Sequence, residues 1–333
     1  MRKPSRAFAG GRTEGRAFGL LLGVAADALL ADPRRVHPVA GFGSAAGALE
    51  RAIYADSRFR GAAYVVVCVS GAVGLGFVLR SVTGSRTLAG PLTMGTAAWA
   101  VLGGASLARE ATAMAAALGS GDLSAARARL PHLCGRDPEA LDGAGLVRAT
   151  VESVAENTAD AVVAPLLWGA VAGLPGMLGY RAVNTLDAMV GHRSARYARF
   201  GWAAARLDDV ATWAPARLTG LLAVALAPLV GGSPRRTYRI YRRDGARHPS
   251  PNAGRCEAAF AGALGVRLGG TNSYGGRVEH RPELGNGRAP LPADVRRAVR
   301  LSRAVGLAAA GLAAAGLAAA GALTVAAVGG RRG

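Results

Sequence analysis

The chain has 333 residues, of which 51% are hydrophobic and 5% aromatic, and it carries a net charge of +19 from 40 basic and 21 acidic side chains. It is too apolar for an ordinary soluble domain and too often interrupted by charge for a plain bundle of spanning helices. The basic charge is spread among apolar segments with no compact basic module, so an anionic membrane surface or anionic substrates fit it better than nucleic acid. Cys68, Cys134 and Cys256 stand alone, which excludes a zinc site and a disulfide framework.

The basic stretch 1–16 reads as a tail (Arg2, Lys3, Arg6, Arg12, Arg16), followed by an apolar segment over 17–31. Asp27 and Asp32 and the lack of a clean small-residue cleavage site mark a retained segment, not a removed leader. Runs of about 20 apolar residues suffice to cross a bilayer. Segments 61–80 and 87–108 qualify, as a hairpin over RSVTGSR. Segments 161–180 and 214–230 are ambiguous. A straight helix over 161–180 would hold Glu156 and Asn184 roughly 40 Å apart. Gly173-Leu174-Pro175-Gly176 supplies a break, and a hairpin that folds back there is expected. Residues 233–303 form a polar region with fifteen Arg against five acids, in which CEAAFAGALGV provides packing surface. The GLAAA repeats of 304–333 make a C-terminal span and tail. The expected fold is therefore all-α: a polytopic membrane protein with re-entrant or broken helices and a polar cytoplasmic loop region. Residues 17–303 are expected to form one membrane-embedded catalytic domain. Arginine in 181–213 and 233–303 favours the cytoplasmic side for both, although strict alternation of spans would place one of them outside.

Charge inside greasy sequence marks where chemistry is to be sought, because ionisable groups at membrane depth are costly. Leu146–Trp213 holds Glu152, Glu156, Asp160, Asp187, Asp208 and Asp209. Glu152, Glu156 and Asp160 fall at i, i+4, i+8 on one helical face. Their repulsion would be relieved by Mg²⁺ or by arginines, and by spacing alone a solvated face paired with arginines is the commoner case. Asn184 and Asp187 stand one turn apart, and Arg206 precedes Asp208 and Asp209. His37-Pro38 and His248-Pro249-Ser250-Pro251-Asn252 are either rigid turn punctuation or proline-fixed platforms from which His or Asn reaches a ligand. Gly269–Gly276 is a glycine-rich segment whose N–H groups suit an anion, or simply a flexible turn. Trp168, Trp202 and Trp213 read as interface anchors.

Taken together these phrases resemble the adenosylcobinamide-phosphate synthases, integral membrane proteins of cobalamin biosynthesis. The matching text is DPRRVHPV (32–39), LVRATVESVAENTADAVVAPLLW (146–168), YRAVNTLDAMVGHR (180–193), RYARFGWAAARLDDVATWAPARL (196–218) and RHPSPNAG…EAAFAGALGVRLGGTNSYGG (247–276), with RPELG (281–285) as a weaker trace. His192, Thr212, Arg255-Cys256 and Thr271 depart from the Tyr, Asn, Trp-Pro and Pro common in that family. The resemblance implies amide formation between adenosylcobyric acid and aminopropanol or its phosphate. ATP with Mg²⁺ would turn the carboxylate into an acyl phosphate that the amine attacks. On that basis Glu152, Glu156, Asp160, Asp208 and Asp209 hold Mg²⁺–ATP, while Arg206, Arg247 and Arg181 bind phosphate. Asn184 and Asp187 orient a substrate, His248 is the base and His37 its reserve. Asn252, Gly269, Gly270, Asn272 and Tyr274 border the bound ligands. Implied partners are the corrinoid, the amine and the lipid bilayer of the cell membrane, with the active site facing the cytoplasm. A homo-oligomer or association with other cobalamin-assembly enzymes is left open. A Mg²⁺-dependent polyprenyl transferase would call for longer Asp-rich motifs on two helices, and a corrinoid transporter or scaffold for an internal repeat. Neither feature is found.

Overall fold

The computed structural model describes residues 6–31, 37–83, 88–192, 194–274 and 277–329; side chains of 6–12, 272–274, 277–278 and 325–329 are outside that description. The helices are α1 (Arg6–Leu30), α2 (Pro38–Ile53), α3 (Arg58–Thr83), α4 (Ala89–Val101), α5 (Gly104–Gly119), α6 (Leu123–Arg129) and α7 (Gly143–Thr158). They continue with α8 (Ala164–Leu186), α9 (Tyr197–Phe200), α10 (Trp202–Ala211), α11 (Trp213–Leu226), α12 (Pro234–Asp244) and α13 (Ala253–Leu264). A hairpin of β1 (Leu268–Tyr274) and β2 (Arg277–Leu284) precedes α14 (Pro292–Gly329). Among the described residues, four stretches are long and apolar enough to cross a membrane: Arg58–Thr83, a window within Gly143–Gly191, Trp213–Val230 and Pro292–Thr324. The molecule is a polytopic helical membrane protein, as expected.

Several expectations change. Helix α1 begins at Arg6, within the basic stretch 1–16. The segment 87–108 is no single span. It breaks at Leu102-Gly103, leaving α4 with 13 residues, or about 20 Å of helix against a hydrocarbon core of about 30 Å. Nor do 61–80 and 87–108 chiefly pair: α4 packs on α1 and α3 on α8. Small residues decide this. A Cβ on Gly23 would come 2.3 Å from Ala98 Cβ, and one on Gly76 would come 2.5 Å from Pro175 Cα. The chain divides into two compact units. Unit 1 comprises residues 1–102, 164–211 and 309–333, and unit 2 comprises 103–163 and 212–308.

Within unit 1, α8 is broken at Gly173 (φ 68, ψ −152), a conformation open essentially to glycine alone. Gly169 then comes close to Met177: a Cβ on Gly169 would lie 3.4 Å from Met177 Sδ, although eight helical residues would separate the two by about 12 Å. The chain turns back at the Gly-Leu-Pro-Gly break as expected. The core of this unit gathers Tyr64, Leu186, Val190 and Phe200, with the Tyr64 and Phe200 rings 5.2 Å apart.

Within unit 2, α13 is buried without interruption from Cys256 to Leu264. Its small side chains admit neighbours closely, so that a Cβ on Gly262 would lie 2.9 Å from Thr237 Cα of α12. Asp142 starts α7 by accepting the Gly145 N–H at 2.7 Å, and Gly265 (φ 70) ends α13. The described part of the glycine-rich segment, 269–274, lies in strand β1, which pairs antiparallel with β2 with an irregularity between Leu268 and Gly270 that opposes Gly270 to Arg281. Among the described residues, each unit contains one π-helical turn, Ala159–Val163 in unit 2 and Asp187–Gly191 in unit 1. Such turns frequently mark functional sites, and each of these opens on or beside an acid, Asp160 or Asp187.

A buried acid–arginine–histidine cluster as the candidate functional site

Unit 2 assembles its charge from four pieces of chain. Glu152 on α7 is only 1% exposed. One of its carboxylate oxygens accepts the Gly269 N–H at 2.6 Å, and the other lies 2.5 Å from Arg136 Nη2 in an ion pair buried on both sides. The anion at the glycine-rich segment is thus the protein's own carboxylate. One turn earlier on α7, Arg148 donates to the Thr271 carbonyl at 2.5 Å, and the lack of a Cβ on Gly270, which would lie 2.8 Å from Arg148 Nη1, leaves room for that guanidinium. Glu257, equally buried, projects from α13. His248 is 7% exposed; its Nε2 lies 3.2 Å from Arg281 Nη1 of β2 and 4.0 Å from Glu257 Oε1. Its Nδ1 faces both the N–H (3.0 Å) and the carbonyl (3.4 Å) of Ser250. One tautomer accepts from Ser250 and points Nε2–H at Glu257, and the other donates to Ser250 and accepts from Arg281.

Environment sets the protonation states. Burial pushes His248 down to about 4, and the neighbouring Arg281 charge adds to the effect. Burial pushes Glu257 well above the usual carboxylate range; Glu152 and Glu156 reinforce that shift, while Arg136 and Arg281 oppose it. Burial therefore favours the uncharged form of both groups, the free-base imidazole of His248 and the carboxyl of Glu257, and sets the two apart by their surroundings. Perturbed groups of this kind gather at functional sites.

The other expected residues stand as follows. Arg247 Nη1 lies 3.6 Å from buried Asp244, which also takes a bidentate pair from Arg243 at 2.7 Å and the Gly285 N–H at 2.9 Å. Asn252 accepts from Arg217 at 3.2 Å. Asp160 is half-buried in its π turn. Asn272 and Tyr274 are strand backbone in β1, and their side chains lie outside the described residues. In unit 1, Asn184 donates to Asp208 at 3.4 Å and accepts from Arg181 at 3.5 Å, so these three do come together. Arg206 reaches Asp209 at 3.9 Å on the surface. Asp187 folds over its π turn, since a Cβ on Gly191 would strike its carboxylate. His37 Nδ1 accepts the Val39 N–H at 3.2 Å and caps α2. The acids before the bend thus belong to unit 2 and those after it to unit 1.

Among the described residues no three or more His, Cys, Asp or Glu side chains converge as a metal cage would. Sequence reasoning missed Arg136, Glu257 and Arg281. An acid inside the continuous small-apolar run CEAAFAGAL was a signal for Glu257. Arg281 opens the RPELG trace, which assigned it no role, and nothing in the local sequence distinguishes Arg136 from the other arginines.

Fold and site together define a multi-pass helical membrane protein that sequesters ionisable chemistry in a compact cluster. Residues 20–302 match the family described as CobD/Cbib protein, and the chain belongs to that family. It is 58% identical over 296 residues to "Cobalamin biosynthesis protein CobD" of Mycobacterium tuberculosis, covering 89% of this chain and 94% of the relative. The protein of the same name from Geobacter metallireducens is 44% identical over 288 residues (85% and 91%). That of Rhodobacter capsulatus is 43% identical over 272 residues (80% and 85%). No solved structure matches the chain.

Proposed function

We propose that the protein works in cobalamin biosynthesis at the cell membrane, joining the free carboxylate of adenosylcobyric acid to aminopropanol or its phosphate in an amide bond. The observation that carries this reading is the unit 2 cluster in a chain of this family: carboxylates, guanidiniums and a free-base imidazole held together out of water. The donor set suits a magnesium nucleotide. Mg²⁺ takes one or two carboxylates plus substrate phosphates and needs no all-protein cage, and Glu156 and Asp160, four residues apart in the sequence, would be the carboxylates to hold it. Arg136 and Arg281 suit phosphate oxygens. When bound, Mg²⁺–ATP supplies activation of an otherwise unreactive carboxylate.

The chain's own residues do the rest. Arg136 and Arg281 stabilise negative charge that develops on oxygen as the amine attacks. His248 takes the proton released by the amine. An anionic ligand on Arg281 offsets the charge that depresses this imidazole, so substrate binding itself raises its basicity. Glu257 faces Nε2 and holds the ring in register. The cytoplasm is the side where ATP is found, and the arginine-rich polar segments fit that side.

The test supplies membranes carrying the protein with adenosylcobyric acid, aminopropanol phosphate, ATP and Mg²⁺, and follows the amide by mass spectrometry. Wild-type membranes form it, and H248Q and E257Q membranes lose it by about 10²-fold or more. Undiminished product with H248Q would remove the assigned base, and no product with wild type would remove the reaction.

A further inference from the structure

We propose that the segment Trp213–Val230 does not cross the bilayer: with α12 it forms a hairpin that lies at one membrane surface and sets the arginine face of α12 on anionic lipid headgroups. Length and hydropathy alone would let this segment span, but the helix packed against it does not. Gly231, with φ 75, turns the chain at the end of the segment, and α12 runs back beside α11 within unit 2. A Cβ on Gly220 of α11 would come 2.5 Å from the Tyr241 ring of α12. Beyond α12, Asn252 accepts from Arg217 at 3.2 Å, near the start of α11. The return leg thus follows α11 back to where it began, and any depth that α11 reaches is shared by α12.

Charge limits that depth. On α12, Arg235, Arg236, Arg239, Arg242 and Arg243 are exposed, while Thr237, Ile240, Tyr241 and Asp244 are buried. The five arginines share one arc of about 120°, opposite the buried face. Asp244, the one acid of the helix, is taken by Arg243 and Arg247, and among the described residues Arg235, Arg236, Arg239 and Arg242 enter no ion pair. Were α11 to cross, these charges would lie in hydrocarbon without counter-charge, a costly placement. The 11 residues of α12 extend only about 16 Å against a core of about 30 Å, so its far end would not regain water. At a membrane surface the same layout is favourable. Leu221, Ala225 and Leu229, at i, i+4 and i+8, leave an exposed apolar stripe on one leg, and exposed Trp213 and Tyr238 suit the interface. A surface apolar on one leg and cationic on the other fits acyl chains with acidic headgroups better than a wholly soluble acidic partner. The chain then enters and leaves α11 on the same side, so the arginine of 181–213 and 233–303 no longer calls for opposite sides.

The test has two arms, both on the full-length protein. In sealed membrane vesicles of each orientation, Ala195→Cys and Ser233→Cys are labelled with a membrane-impermeant maleimide, against the wild-type background of the three native cysteines. Both positions are exposed, and between Ala195 and α11 lie only α9 and the ten-residue α10, each too short to cross. Both cysteines should react from the same face; reaction from opposite faces means that α11 crosses and overturns the proposal. In the second arm, protein from nanodiscs of equal phosphatidylcholine and phosphatidylglycerol is examined by native mass spectrometry for the lipid it retains. Phosphatidylglycerol should be retained in preference, R235Q/R239Q/R242Q should lower that retention by about fivefold or more, and R235K/R239K/R242K should keep it. Equal retention of the two lipids by wild type overturns the headgroup contact and leaves the arginines to a soluble anionic partner. A preference that the glutamine variant keeps at an unchanged melting temperature overturns it as well. Should the glutamine variant misfold, the sidedness and lipid preference of the proteins that retain these arginines still decide. Neither arm measures turnover, so failure of the amide assay and failure of this topology read out separately.

Discussion

Protonating His248 should destabilise unit 2, and the cost can be worked from its surroundings. Arg281 of β2, Glu257 of α13, Glu152 of α7 and Arg136 all face this ring or act on it. In the fold the imidazole titrates at about 4, against 6.5 ordinarily. The unfolded chain therefore takes up the proton first as the pH falls. Stability is complete above about pH 6.5, declines from there towards pH 4, and flattens below it; the full gap is worth roughly 3.4 kcal/mol. At about pH 4.5 the loss is roughly 2.5 kcal/mol. Other groups titrate in the same window, and Glu257 has the opposite sign: its raised value favours the fold at low pH. Comparison with H248Q removes that background, because the remaining groups are common to both proteins. The assay is thermal unfolding of the full-length protein in detergent at about pH 7.5 and about pH 4.5. Wild type should lose roughly 2.5 kcal/mol relative to H248Q between the two, a shift of several degrees in the difference of midpoints. Parallel pH dependence in the two proteins would refute the assignment of a buried, free-base His248.

Two more outcomes follow from the packing. Arg136→Met strands the Glu152 carboxylate in a site where both side chains are nearly inaccessible, and should cost about 3–5 kcal/mol; adding Glu152→Gln should recover part of the melting temperature, and a single variant as stable as wild type would show that the pair is not buried in solution. Gly61→Ala places a Cβ 1.8 Å from the Phe200 carbonyl oxygen, whereas Gly74 on the same helix has open space around it. Gly61→Ala should therefore cost about 1–3 kcal/mol or more and Gly74→Ala should not, by yield and thermal melting; equal behaviour would contradict the α3–α9 packing.

The acids before the bend were legible because a carboxylate in a greasy run stands out from its neighbours. Their partners were not. Arg136 lies sixteen residues upstream of Glu152 in an unremarkable turn, and one arginine among 39 carries no mark of which carboxylate it meets. Glu257 hid in a run of alanines that read as packing surface. The glycine-rich segment read as a loop because strand pairing depends on a register that local composition does not state, and the N–H groups expected to cradle a ligand turned out to hold Glu152. The break at Leu102-Gly103 was missed because hydropathy averages across a glycine pair that the backbone does not.

Composition and periodicity by themselves determined that the chain is helical and membrane-embedded, that it turns back at Gly173-Leu174-Pro175-Gly176, and which motif phrases carry its charge. These properties reside in contiguous residues, where apolar run length and glycine or proline punctuation act directly on the backbone. Tertiary structure alone decided which helices touch, that the motif acids divide between two units, and that Glu152, His248 and Glu257 meet Arg136 and Arg281. A buried charge is tolerable only where a distant segment brings its counter-charge, and that pairing exists only once the chain has folded.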